Sequence, residues 1–167
     1  MNGIQFRSNR LVLISPANVG NAAATSACIN MTACPVATIV IQFGSLHDSS
    51  DSDITVLADA NTTASGGTAL ATLRYRTQLA AGTWDAWTTV TDSKIDIVTG
   101  GDIDPVTADN TIMEIELNAV DLESALTGAK YFYLNLSAPG QTTWNLAAHV
   151  VLNNQRYQAV VPESAVV

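Results

Sequence analysis

The sequence has few of the residues from which most catalytic and metal sites are built. Among its 167 residues are two histidines and two cysteines, and its longest apolar run, residues 35–43, has only the length of a strand. Two histidines cannot build a three-histidine zinc site, and a bilayer span needs about 20 apolar residues. The sequence also lacks a nucleophile elbow, a phosphate-binding loop and a dinucleotide fingerprint. We therefore expect no enzyme activity, no metal or cofactor, and no membrane partner.

Positive charge is also scarce. Seven Lys and Arg residues stand against 15 Asp and Glu residues, which gives a formal net charge of -8. A chain with this charge repels phosphate backbones and anionic membrane surfaces. The composition therefore predicts no nucleic-acid partner.

The composition that is present indicates one compact domain, since 47% of the residues are hydrophobic and 13% are charged. The composition of the chain changes near residue 35. Residues 1–35 are rich in Asn, Ala, Ser and Thr, so we expect an N-terminal arm that orders against another chain. The alternative is an ordinary strand, over residues 11–15, and a long loop of the same domain. Residues 36–167 are expected to form a β-sandwich domain.

Short β-branched segments, separated by turn residues about every ten positions, follow residue 35. The predicted strands are residues 36–43, 54–58, 71–77, 87–90, 95–98, 112–117, 131–136 and 146–152. In the third of them, Leu73 and Tyr75 share one face while Arg74 and Arg76 share the other, as in a half-buried antiparallel strand. With one short helix at residues 122–126, these strands predict an all-β fold, either an antiparallel sandwich or a jelly roll.

Two groups of acidic residues have alternative interpretations. Asp102 and Asp104, like Glu114 and Glu116, are spaced to share a strand face, where a carboxylate pair could act as general acid and base. A solvated strand face is the simpler interpretation. The turn with Asp48, Asp51 and Asp53 has the oxygen density that calcium prefers, but it lacks the glycine and distal glutamate of an EF-hand.

Two pairs of less common residues also leave alternatives open. Trp84 and Trp87 could stack on sugar rings, as in a carbohydrate-binding module, although large rings are more often packed in a core. Cys28 and Cys34 could close a small disulfide loop in a secreted chain, or they could be two buried thiols in a reducing cytosol.

The order of several segments resembles small structural proteins of tailed bacteriophage virions. The segments that carry the resemblance are residues 54–57, 66–69 leading into 73–76, 82–87, 110–115, 120–122, 131–136 and 154–157. Together they span about residues 37 to 158, and residues 1–35 have no counterpart. They are packing and turn patterns rather than a catalytic signature.

Members of this family with an assigned role are often head decoration (cement) proteins. The resemblance implies a non-enzymatic, β-rich protein that forms a homotrimer and binds the major capsid protein on the outer surface of the virion, after synthesis in the bacterial cytoplasm. It would stabilise the joints between capsid subunits. A tail- or fibre-associated phage protein is the nearest alternative, and a carbohydrate-binding module is the second.

In a decoration protein, the apolar residues of the N-terminal arm would be the contacts to the capsid or to neighbouring subunits. These candidates are Ile4, Phe6, Leu11, Leu13 and Ile14. The alternative is that they pack onto their own sandwich.

Overall fold

A computed structural model describes residues 9–18, 20–49, 51–78, 82–141 and 144–153. Two antiparallel sheets pack against each other, which confirms the all-β sandwich. The strands are β1 (Asn9–Asn18), β2 (Ala24–Thr25), β3 (Ile29–Asn30), β4 (Val36–Leu46), β5 (Ser52–Asp59), β6 (Thr68–Ala69), β7 (Leu73–Gln78), β8 (Thr88–Val90), β9 (Ile95–Ile97), β10 (Ile112–Asn118), β11 (Tyr131–Leu136) and β12 (Trp144–Asn153).

The first sheet has six strands in the order β1-β12-β4-β10-β7-β8. The second has the order β2-β11-β5-β6, with β3 also paired to β11 and β9 to β5. Every pairing between these strands is antiparallel. The final described strand, β12, therefore lies between the first strand and β4.

The core forms where the alternating apolar residues of the two sheets meet. Along β12 and β10 every second residue is buried, as expected for strands with one face on the core and one toward solvent. The largest fully buried side chains include Trp144 on β12, Phe43 on β4 and Phe132 on β11. Both sheets thus supply large rings to one continuous core.

The described part of residues 1–35 is built into the sandwich and does not form a separate arm. Strand β1 pairs with β12, while β2 and β3 pair with β11. Ile29 and Cys34 are buried in the common core together with Leu13. Residues 9–18 and 20–35 therefore match the alternative interpretation, a strand and a long loop of the same domain. Their apolar side chains pack against residues that are distant in the sequence.

The described residues contain two short helices, whereas the sequence predicts one. Helix α2 (Ala119–Ala125) begins before the predicted residue 122, with Asp121 accepting a hydrogen bond from the Asn118 backbone and Gly128 beyond it at φ +82. Helix α1 (Pro105–Ala108) was not expected; the Asp104 carboxylate accepts from the Val106 backbone and caps it. Across the described part of the chain, neither helix has the length and apolarity that a membrane span requires.

Candidate interaction surface

The outer face of the first sheet carries two rows of opposite charge on neighbouring strands. Arg74 and Arg76 on β7 lie directly opposite Glu116 and Glu114 on β10. Nε and Nη2 of Arg76 are 2.8 and 2.6 Å from Oε2 of Glu114, and Nη1 of Arg74 is 3.3 Å from Oε1 of Glu116. The predicted alternation along β7 is confirmed, since Leu73 is buried on the opposite face. The glutamates thus hold both guanidinium groups in place.

Two tryptophans pack against these arginines. The Cζ atom of Arg76 is 4.4 Å from the ring centre of Trp84 and 4.7 Å from that of Trp87. The Cζ atom of Arg74 is 4.7 Å from the ring centre of Trp87. These distances are typical of cation–π contacts. Trp84, Arg76, Trp87 and Arg74 form an alternating stack, which we call the Trp–Arg ladder.

Hydrogen bonds to β7 hold the loop that carries the tryptophans. The Asp85 backbone donates to the Thr77 carbonyl at 2.9 Å, and the Thr77 hydroxyl donates to the Asp85 carboxylate at 2.5 Å. Near the start of this loop, the Gln78 amide donates to the carbonyl of Gly82, whose φ of +80 suits glycine. The loop is therefore held to β7 on both sides of Trp84, although residues 79–81 lie outside the described residues.

The ladder is accessible to a partner. Trp84 is 37% exposed, and the Arg74 side chain is 49% exposed. Arginine has five N–H donors, and among the described residues the Arg74 guanidinium donates one hydrogen bond, to Glu116. Tryptophan and arginine are the residue types most enriched in the energetic centres of protein interfaces. The arrangement can bind a protein surface that offers carboxylate or carbonyl oxygens beside an apolar group.

The same geometry bears on the carbohydrate alternative. The structure brings Trp84 and Trp87 to one surface, as a sugar site would require, but the Arg76 guanidinium lies against both rings. A sugar that stacked on those ring faces would have to displace it. Sequence reasoning missed this packing; the available signal was the outward pair of arginines followed by two tryptophans after a glycine turn.

The described candidates in β1 pack onto their own sandwich. Leu13 is buried in the core, and Leu11 and Ile14 are half-buried against it. Ile4 and Phe6 lie outside the described residues. Val12, between Leu11 and Leu13, points outward and is 56% exposed. It is not one of the contact candidates chosen from the sequence, although strict alternation with its two leucine neighbours would have placed it on the solvent side.

The acidic turn with Asp48, Asp51 and Asp53 does not form a cation site. Asp53 lies opposite Asp96 on β9, and Lys94 bridges the two carboxylates at 3.1 and 2.6 Å. The hydrogen bond from Lys94 lowers the pKa of Asp96, whereas burial and the hydrogen bond with Asp96 raise the pKa of Asp53. Within the described ranges, no three His, Cys, Asp or Glu side chains are grouped so that they could hold a metal ion.

The carboxylates of Asp102 and Asp104 each accept a hydrogen bond from the backbone. Asp102 Oδ2 accepts a hydrogen bond from the Asp96 backbone at 3.0 Å, and Asp104 Oδ1 accepts one from the Val106 backbone at 3.0 Å. The expected common strand face is therefore wrong for this pair, since one carboxylate supports the β9 loop and the other caps α1. Glu114 and Glu116 do share a face, where they pair with arginines.

Both cysteines are buried thiols without a disulfide bond. The pKa of Cys28 is raised by burial, although a hydrogen bond from the Ala64 backbone at 3.2 Å opposes this shift. Cys34 is 1% exposed. The pair therefore acts as small core residues.

A shallow groove of about 410 Å³ lies at the end of the first sheet where β1 and β12 are irregular. Four carboxamide side chains line it, those of Asn18, Gln42, Asn110 and Asn145. The remaining lining residues are Pro16, Phe43, Gly44, Leu146 and Ala147. The lining offers hydrogen bonds but contains no ionisable side chain.

Comparison with known proteins gives little further information. No family model matches the chain, and no curated protein matches it significantly in sequence. A solved structure with some likeness is that of the SPBc2 prophage-derived protein YomS, with 10% sequence identity and a TM-score of 0.44. The match covers 92% of this chain and 99% of that one. A likeness of this size carries no argument about function.

Proposed function

We propose that this chain is a non-enzymatic structural protein of a tailed-bacteriophage virion, which binds the outer capsid surface and stabilises joints between major capsid subunits. The observation that carries the proposal is the Trp–Arg ladder. It is an accessible group of the residue types that dominate protein interfaces, held in place by two ion pairs. In this proposal the ladder contacts the major capsid protein.

The resemblance to virion proteins supports the choice of partner. Two of its segments, residues 73–76 and 82–87, contain all four ladder residues. Decoration distributes binding energy over several capsid subunits, and a homotrimer would present three ladders at once. Trimeric binding then gains avidity without a deep pocket, and the sandwich supplies a rigid base for each ladder.

The test is co-sedimentation of the purified protein with undecorated, expanded heads of its own virus, titrated to saturation. Saturation at a copy number that matches a set of lattice axes is the expected result. Trp84→Ala and Arg74→Gln should weaken binding at least about tenfold, because each removes an accessible ladder contact. Val106→Ala and Lys130→Gln are matched controls at exposed positions outside the ladder and should bind like the wild type.

Other outcomes would overturn the proposal. If folded protein does not pellet with heads but does pellet with purified tails, the tail-associated alternative replaces it. If binding appears instead on a glycan array and disappears in Trp84→Ala and Trp87→Ala with the fold intact, the chain is a carbohydrate-binding module.

A further inference from the structure

A second candidate site is the shallow groove of about 410 Å³ at the end of the first sheet, between β1, β12 and β4. Small-molecule sites usually have volumes of about 300–1,000 Å³. Two of the lining positions carry little or no side chain, Ala147 on β12 and Gly44 on β4. A Cβ at residue 44 would lie 3.0 Å from Cβ of Asn145, so glycine there keeps the groove open. The described lining includes none of the four residues of the Trp–Arg ladder.

Three carboxamide side chains around the groove are not used by the fold. Gln42, Asn110 and Asn145 line it, and within the described residues their side-chain amides make no hydrogen bond. Each of these amides offers a carbonyl acceptor and two N–H donors. Asn110 has a φ of +58, which asparagine tolerates better than most residues, and its backbone donates to the Gly44 carbonyl at 3.2 Å. This hydrogen bond holds Asn110 beside β4.

The fourth carboxamide belongs to the framework of the groove. Asn18 Oδ1 accepts hydrogen bonds from the backbones of Gly20 and Trp144 at 2.9 and 3.0 Å, so it holds the end of β1 to the start of β12. The groove therefore has one fixed carboxamide, whereas the other three are available to a ligand.

These features favour a neutral ligand that both donates and accepts hydrogen bonds. No ionisable side chain is among the described lining residues, so an ion would lose part of its hydration without gaining a counter-charge. An apolar ligand would displace water from the carboxamides without replacing their hydrogen bonds. A saccharide meets both conditions, because its hydroxyl groups donate and accept while its outer side stays hydrated in a shallow groove.

A peptide main chain offers the same groups but fits the topology less well. Extended peptides bind by adding a strand to the edge of a sheet. The groove instead crosses strands that are already paired with each other, since Ala147 of β12 lies opposite Gln42 of β4 and Asn145 lies opposite Asn18 of β1. We infer that the groove binds a neutral saccharide through Gln42, Asn110 and Asn145. This binding is separate from the proposed contact with the capsid.

The test is an NMR titration of isotope-labelled protein with glucose, galactose, mannose and N-acetylglucosamine, because side-chain amides give their own signals. At least one sugar should shift the amide signals of Gln42, Asn110 and Asn145, with a dissociation constant of about 1–10 mM, as suits a shallow polar site. The amide of Asn61, exposed and outside the groove, should not shift. Glucuronate, which is anionic, should bind at least about tenfold more weakly than the best neutral sugar. A linear trimer of that sugar separates the sources: tighter binding than the single sugar indicates a polysaccharide, and equal binding a free sugar.

Two substitutions at Ala147, an outward position of β12, form a matched pair. Ala147→Leu fills the groove and should weaken binding at least about tenfold, whereas Ala147→Ser keeps the residue small and should bind like the wild type. Gln42→Ala is a second test if leucine disturbs the strand. Its side chain is exposed and makes no hydrogen bond within the described residues, so the fold should be unaffected.

The inference is wrong if none of the four sugars shifts these signals at about 50 mM, or if Ala147→Leu and Gln42→Ala both bind like the wild type. Shifts caused by acetyl-triglycine amide and by no sugar would identify a peptide site instead. Sugar binding that is lost in Trp84→Ala would place the sugar on the ladder and also overturn the inference. Failure of the proposed function is distinguishable, because the protein would then bind sugar in the groove but would not co-sediment with heads.

Discussion

Arg76 and Glu114 face each other across β7 and β10, with Nη2 of the arginine 2.6 Å from Oε2 of the glutamate. The same guanidinium lies against the rings of Trp84 and Trp87. One carboxylate therefore fixes the position of the cation on which both rings pack. This relationship joins the sheet to the loop that carries the exposed aromatic residues.

A double-mutant cycle should measure this coupling. Arg76→Gln, Glu114→Gln and the double variant are expected to give a coupling free energy of about 0.5–1 kcal/mol in urea unfolding, the upper part of the range for partly exposed pairs. Arg74 and Glu116 provide the control pair, because their longer contact and greater exposure predict a smaller coupling. Equal coupling in the two pairs, or none in the first, would contradict this interpretation.

Substitutions at Leu13 and Val12 test whether β1 is packed against the core. Leu13→Ala should lower the free energy of unfolding by about 2–3 kcal/mol, because it removes a side chain that is 7% exposed in the core. Val12→Ala, one position away and facing solvent, should change it by less than about 0.5 kcal/mol. Both values come from chemical denaturation. If both variants are as stable as wild type, β1 is not part of the folded unit in solution.

Lys94 should make stability depend on pH. It lowers the pKa of Asp96, so this carboxylate stabilises the fold above its unfolded value of about 4, and the contribution is lost as pH falls through the lowered pKa. Asp53 contributes to stability in the opposite direction. Its raised pKa stabilises the fold at low pH, and this contribution is lost as pH rises through the raised pKa.

Lys94→Gln leaves the two carboxylates facing each other without a cation. The stability lost relative to wild type should therefore be largest near pH 7 and should shrink at acidic pH, as the pH falls through the lowered pKa of Asp96. Urea unfolding at several pH values measures it. Lys130→Gln, at an exposed lysine outside this cluster, should show no such trend. A loss that is independent of pH for Lys94→Gln would exclude the electrostatic cause.

Gly67 has no space for a side chain. A Cβ there would lie 2.8 Å from both the Ala58 carbonyl oxygen and Cε1 of Tyr133, and the Gly67 backbone donates to the Tyr133 hydroxyl at 3.1 Å. Gly67→Ala should destabilise the protein by about 1–3 kcal/mol in thermal or urea unfolding. Ser65→Ala, at a nearby exposed position, is the control and should be near neutral. An unchanged Gly67→Ala variant would mean that the loop packs differently.

The two thiols should react with a thiol reagent slowly in the native state and quickly once the protein is unfolded. Cys28 and Cys34 are buried, and burial raises the pKa of Cys28, so little reactive thiolate is accessible. Two equivalents should titrate in denaturant without a reductant. Zero equivalents there, with two after reduction, would show that the cysteines are bridged.

The strands were predictable wherever alternation, or a run of aromatic and β-branched residues, extends over several positions. Strand β11 has the predicted bounds of 131–136, and the outward arginines of β7 follow from period two. The two-residue strands β2, β3 and β6 are too short to show a period. They exist because β11 and β5 supply their hydrogen-bond partners from distant parts of the chain.

The candidate site was only partly predictable for a related reason. Trp84 and Trp87 could be selected as exposed rings, and Arg74 and Arg76 as outward charges, but their stacking depends on how the loop folds back onto β7. The expected N-terminal arm shows the reverse case. Ile29, for example, stands in a stretch without a period, so only the tertiary structure reveals its burial.

The position of β12 between β1 and β4 has a consequence for biosynthesis. Among the described residues, β1 (residues 9–18) pairs with β12 (residues 144–153), which is translated more than a hundred residues later. The first sheet thus closes only by pairing across more than a hundred residues of sequence, an arrangement associated with folding in milliseconds to seconds rather than microseconds. A nascent chain therefore carries β1 without its native partner while residues 19–143 are translated, and the first sheet is completed only after β12 has left the ribosome.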